Sequence, residues 1–286
     1  MLTWQIGDVT VTRVVELEVP VPYDPDGAML ADATPEALAE MPWLSPHFVT
    51  EDGALRLSIH ALVVNAPGLN LVVDTCVGND KPRALLGGGA LQTDFLRGLE
   101  EAGCPPDSVD TVVCTHLHVD HVGWNTMLVD GDWVPTFPNA RYLIGRREFD
   151  HWTSEGDDDQ QAILGDSVQP IFDAGLATLV EMNHRISDEI SLIPTPGHTP
   201  GHVSVSIESK DERALITGDL LHHPCQFARP HWSPSFDSDP VAGAHMRRAV
   251  MEEVADAPVL VIGTHFAAPT AGRVTRDGDA FLFDIS

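Results

Sequence analysis

Within six residues, His116, His118, Asp120 and His121 bring three imidazoles and a carboxylate together, in the run Thr115-His116-Leu117-His118-Val119-Asp120-His121. Imidazole nitrogen and carboxylate oxygen are the donors that suit zinc or iron. A single histidine in such a place is more often a hydrogen-bonded loop residue than a ligand. Three of them with an aspartate differ, because without a cation they crowd like dipoles and leave lone pairs unpartnered. The run therefore predicts a metal centre.

Such a centre needs strands to present it. Residues 109–114, apolar and rich in β-branched side chains, predict a buried strand that ends at the cluster, and Gly123 and Asn125 then favour turns. The same arrangement recurs three more times. Residues 190–193 lead to His198, residues 214–217 to Asp219 and residues 259–262 to His265. His198 lies in a turn stiffened by Gly197 and Pro200. Asp219 follows Gly218 at the end of an apolar run, a poor place for a carboxylate with no partner. Together His116, His118, Asp120, His121, His198, Asp219 and His265 offer enough donors for two metal ions, with one carboxylate bridging.

Elsewhere, residues 9–19, 57–65, 70–74, 141–144 and 203–207 read as strands, and residues 34–40, 91–102, 146–152 and 157–164 as helices. Asp239 is expected to cap a helix starting at Pro240, with Ala242, Met246, Val250 and Val254 along one side. Residues 259–262 read as the last core strand. The Pro-rich stretch 20–50 carries Trp43 and Phe48 and is a candidate cap over an active site. Trp43, Phe48, Trp124, Phe227 and Trp232 are candidate walls of a mostly apolar substrate pocket, each weighed against core packing. No linker divides the 286 residues, so one domain over 1–286 is expected.

A net charge of −27 and the lack of a Lys/Arg cluster argue against nucleic acid and anionic membranes as partners. No stretch approaches the ~20 apolar residues of a membrane span. Cys76, Cys104, Cys114 and Cys225 form no C-x-x-C pair and read as free thiols in a reducing compartment. With no basic-then-apolar leader at Met1, a cytoplasmic location is expected.

The order of these motifs resembles the metallo-β-lactamase superfamily: an H-x-H-x-D-H block, a later His, an Asp and a final His. The resemblance spans nearly the whole chain. It implies an α/β fold of the four-layer αββα sandwich type. It implies that His116, His118 and His198 hold one metal, that Asp120, His121 and His265 hold the other, and that Asp219 bridges them. Asp74 resembles the aspartate that props the metal loop from behind. The implied activity is hydrolysis of an ester, a lactone or a related bond by a metal-bridging hydroxide, with Asp120 orienting that hydroxide or returning a proton. Two divalent ions are implied, zinc first, with iron, manganese or cobalt as alternatives.

Residues 218–239 look like the corresponding segment of the methyl parathion hydrolase and acyl-homoserine lactonase branch. Lactonases of that branch often carry Tyr where His222 stands. His222 is thus a candidate donor to the substrate oxygen. The partner implied is a neutral, partly apolar small molecule, and base rates favour a homodimer. Rival readings on the same scaffold are organophosphate triester or β-lactam hydrolysis and a mononuclear iron persulfide dioxygenase. A nuclease and a non-catalytic binding module fit less well.

Overall fold

The computed structural model describes residues 1–285, the side chain of Leu85 excepted. It divides into two compact units. One comprises Met1–Glu16 and Ile59–His184; the other comprises Leu17–Ser58 and the residues from Arg185 onward.

The first unit is built on a seven-stranded sheet. In spatial order its strands are Thr3–Ile6, Val9–Val21, Leu55–Ala66, Leu69–Val73, Thr111–Cys114, Arg141–Gly145 and Ala177–Val180. Leu69–Val73, Thr111–Cys114, Arg141–Gly145 and Ala177–Val180 run parallel. Parallel strands covered on both faces read as unbroken apolar runs, and Leu71, Val72, Val73, Val112, Val113 and Cys114 are all buried. The helix Phe95–Glu101 adds Phe95 and Leu99 to this core, and Asp158–Ile163 adds Ile163. Asp157 caps the latter helix by accepting from the Gln160 amide at 2.9 Å. The helix expected from residue 91 starts later, at Phe95, because Leu91 is taken up in a β-bridge with Asn79.

The second unit holds a six-stranded sheet in the order Ile190–Pro194, Val203–Ser209, Glu212–Ile216, Val259–Ile262, Ala271–Asp277 and Ala280–Asp284. Residues 259–262 are therefore not the last strand. A hairpin follows, its Asp277 paired with Ala280 around a Gly278 at φ 60°. The charged residues Arg273, Arg276 and Asp277 hide its alternation from a hydrophobicity reading. Stretch 20–50 packs into this unit's core through Leu30, Leu38, Met41, Leu44 and Phe48.

The helix Pro240–Val254 is capped by Asp239 as expected, through the Ala242 amide at 2.9 Å. Its buried side differs from the expected one, consisting of Gly243, Arg247, Met251 and Val254. The helix is turned by the partners of Arg247, described below, which outweigh the apolar gain from Met246 and Val250. No helix among the described residues is long and apolar enough to cross a membrane.

His223 ties stretch 20–50 to the loop after Asp219. Its Nε2–H donates to the Phe48 carbonyl at 2.8 Å, and its Nδ1 accepts from the Cys225 amide at 3.1 Å. Both bonds need the neutral ring, and burial holds its pKa down to about 4. An unfolded histidine titrates near ~6.5, so between these values the unfolded chain binds the extra proton. Stability from this group is complete above pH ~6.5 and is lost as pH falls through ~4, a loss of about 3 kcal/mol. Urea midpoints measured from pH 7 to 4 should show this slope, and His223→Gln should flatten it.

Candidate metal centre

Each unit carries its share of the candidate ligands at strand ends, and hydrogen bonding fixes their direction. In the first unit, Leu69–Val73 and Thr111–Cys114 run parallel, so Asp74 and Thr115 leave the sheet side by side. The Asp74 amide donates to the Val113 carbonyl at 2.9 Å, and the Thr75 amide to the His121 carbonyl at 2.8 Å. Asp74 is buried and accepts from the Thr115 amide, the Thr115 hydroxyl and His121 Nδ1–H, each at 2.8 Å. With Nδ1 committed, His121 presents Nε2, which lies 3.6 Å from Asp120 Oδ1. The Thr115 hydroxyl, donating to Asp74, also accepts from His116 Nδ1–H at 3.1 Å, which turns the other ring nitrogen of His116 away from Asp74. That Nε2 lies 3.1 Å from His118 Nδ1. Asp74 thus props this loop from behind.

In the second unit three strand ends converge. Val205 pairs with Ile216, so the start of Val203–Ser209 lies beside the end of Glu212–Ile216. Glu212–Ile216 in turn runs parallel to Val259–Ile262. This register brings His198, Asp219 and His265 to one end of the sheet. The Thr217 amide donates to the Ile262 carbonyl at 3.0 Å, and the Thr264 amide to the Thr217 hydroxyl at 3.2 Å, stitching the last two ends together.

Asp219 is the hub. His198 Nε2 lies 3.3 Å from its Oδ2, His222 Nε2 3.2 Å from Oδ2 and His265 Nε2 3.2 Å from Oδ1. The far nitrogens of two rings are committed elsewhere: His198 Nδ1–H donates to Asp237 Oδ1 at 2.8 Å, and His265 Nδ1–H to the Ser58 carbonyl at 3.0 Å. Rings tethered in this way turn their Nε2 atoms towards a carboxylate, the arrangement in which imidazoles and an aspartate can share a cation. Donors bonded tetrahedrally to zinc stand about 3.3 Å apart, close to the spacings found in both units. The donor sets therefore fit divalent metal. Within the second unit, Asp219, His222 and His265 each place one ligand atom within 4.8 Å of the others.

His202 is not aimed at the hub. Its Nε2 accepts the Asp219 amide at 2.8 Å while its Nδ1–H reaches Thr195, so it holds the Asp219 backbone. Gly218 makes this possible: at φ 57°, a Cβ there would sit 2.5 Å from His202 Nε2.

The aromatic candidates fare differently. Phe48, Phe227 and Trp232 belong to the core of the second unit, and Trp124 to that of the first, stacked on Phe95 with its indole N–H on Glu16 at 2.6 Å. Trp43 is half-buried against the second core. The first four are all buried, at 5% exposure or less. The aromatic at the hub is instead Phe236, 45% exposed, with its ring 5.7 Å from that of His198 and 5.3 Å from that of His222. Its position beside Asp237 was the available signal. Trp152 similarly lies 5.4 Å from His118.

A model of the metallo-β-lactamase superfamily matches residues 55–265. An N-acyl homoserine lactonase of a Bacillus species is 25% identical over 166 residues, 58% of this chain and 59% of that protein. A probable metallo-hydrolase of Methanocaldococcus jannaschii is 28% identical over 116 residues, 40% of each chain. The chain thus spans about three fifths or less of the length of these curated relatives. Among solved structures, the hydrolase AbOPH of the β-lactamase superfamily superposes with a TM-score of 0.80 at 25% identity, covering 100% of this chain and 97% of that one. AidC, a dizinc quorum-quenching lactonase, superposes with a TM-score of 0.79 at 20% identity, covering 99% and 97%.

Replacing Asp74 by Asn keeps the shape but removes the charge that tethers His121. Partners of this kind typically govern metal affinity by 10–100-fold. Zinc titration of Asp74→Asn should show a loss in that range, with the fold retained by circular dichroism. The run of motifs from His116 to His265, the family match over residues 55–265 and the fold shared along the whole chain agree: the chain belongs to the metallo-β-lactamase superfamily.

Proposed function

We propose that the protein is a metal-dependent hydrolase of ester or lactone bonds. The observation that carries this reading is the turning of the His198, His222 and His265 Nε2 atoms onto Asp219, with the far nitrogens of His198 and His265 tied down. Family membership supports the class, and the lactonase relatives support the bond type. His116, His118, Asp120 and His121 of the first unit and His198, Asp219 and His265 of the second are the residues that would hold divalent ions. Zinc is the ion to test first, given nitrogen and oxygen donors.

Bound there, such ions supply Lewis acidity and lower the pKa of water towards ~7. The chain's own groups do the rest. Asp120, 22% exposed and the most open carboxylate of the set, takes the proton released as water attacks and returns it to the leaving alkoxide. His222 donates to the substrate oxygen from beside Asp219. Phe236 offers an apolar contact to the acyl or alcohol part, which fits a neutral, partly apolar small molecule. Four buried cysteines without disulfides fit a reducing compartment, the cytoplasm.

Lactones, aryl esters, thioesters and organophosphate triesters assayed on one metal-quantified sample test the reading. Lactone or ester turnover that disappears on exhaustive chelation and returns with zinc is expected; full turnover without metal overturns it. Asp120→Asn should lower kcat at least ~100-fold. His222→Ala should lower kcat with the metal content unchanged; loss of an ion would move His222 among the ligands.

A further inference from the structure

Arg247 is fully buried in the helix Pro240–Val254, although nothing in the assigned chemistry uses it. Its guanidinium spends its donors on one loop. Nε–H donates to the Pro230 carbonyl at 3.0 Å, Nη2–H to the Ser233 hydroxyl at 2.5 Å and Nη1–H to Asp237 Oδ2 at 3.2 Å. The other oxygen of Asp237 takes the His198 Nδ1–H. One carboxylate therefore joins a fixed, permanently charged fork to a candidate metal ligand.

The backbone reinforces this line. The Ser238 amide donates to the His198 carbonyl at 2.8 Å, and the Asp239 amide to the Gly197 carbonyl at 2.9 Å. Gly243, one helical turn before Arg247, leaves the room: a Cβ there would lie 3.1 Å from Asp237 Oδ2, and one on Gly197 would lie 2.4 Å from the Gly243 Cα. A buried arginine is costly unless fully paired, and its planar fork limits the Asp237 carboxylate to few orientations.

We propose that Arg247 is a positioning residue of the metal centre: acting through Asp237, it fixes the ring of His198 so that Nε2 is presented to metal before any ion arrives. This rests on His198 being a metal ligand. It predicts that Arg247 sets affinity for the ion that His198 holds and leaves the other ion alone.

The test is competition of the whole, metal-stripped chain against a zinc-chelating dye, with circular dichroism and the melting temperature of the metal-free protein recorded beside it. Asp237→Asn and Arg247→Met should each weaken one of two zinc ions, by about 10–100-fold, and the other by less than about twofold. The double variant should be no weaker than Asp237→Asn alone, since both act along one line. Arg247→Lys, which keeps the charge but not the fork, covers the case in which Arg247→Met does not fold. It should fall about 10-fold in affinity for the same ion. Unchanged affinity in a folded Arg247 variant, or losses that add in the double variant, overturns the proposal. A parent chain that binds no zinc overturns the functional reading itself, and the proposal with it.

Discussion

Each tethered imidazole of the candidate centre is held at one nitrogen, which fixes the direction of the other. Asp74 holds His121, Asp237 holds His198 and the Ser58 carbonyl holds His265. An untethered ring flips and exchanges tautomers, and every ion captured would then bear the entropy of ordering it. With Nδ1–H spent on a buried acceptor, tautomer and ring angle are settled when the chain folds. The cost is moved from binding to folding, where burial of Val, Leu and Ile side chains, at about 1.5–3 kcal/mol each, can offset it.

The sheets do the coarse work for these tethers. Two adjacent parallel strands end at the same edge, so whatever follows them emerges as neighbours. That rule brings Asp74 next to Thr115 in one unit and Asp219 next to the segment leading to His265 in the other. Loops can then carry the chemistry because the strands beneath them are fixed. The hydrogen bonds of Thr217, which join two strand ends, and of His202, which hold the Asp219 amide, trim what the register leaves open.

The residues of the candidate centre were legible in the sequence because they are chemically unusual for their places: polar donors directly after apolar, β-branched runs. The fold class came from the family resemblance that the order of the motifs carries. Asp74 was legible through the same resemblance. Arg247 was not, because a charged residue in an amphipathic helix reads as solvent-facing, and only its partners Pro230, Ser233 and Asp237 turn it inward. The strands Ala271–Asp277 and Ala280–Asp284 were missed because arginines and aspartates interrupt their alternation. The sequence does not sort the aromatics, since a large ring near a motif looks the same whether it lines a pocket or fills a core. Phe236 is told from Phe227 only by where the loop turns.

The central claim is that the chain presents chosen ring nitrogens to a pair of cations. Anomalous diffraction at the zinc edge, from crystals grown with zinc, examines it atom by atom. The account predicts two zinc peaks per chain, with His121, His198 and His265 bonded through Nε2 and their Nδ1 atoms still on Asp74, Asp237 and Ser58. A single peak, or bonding through Nδ1 of any of these three rings, contradicts it.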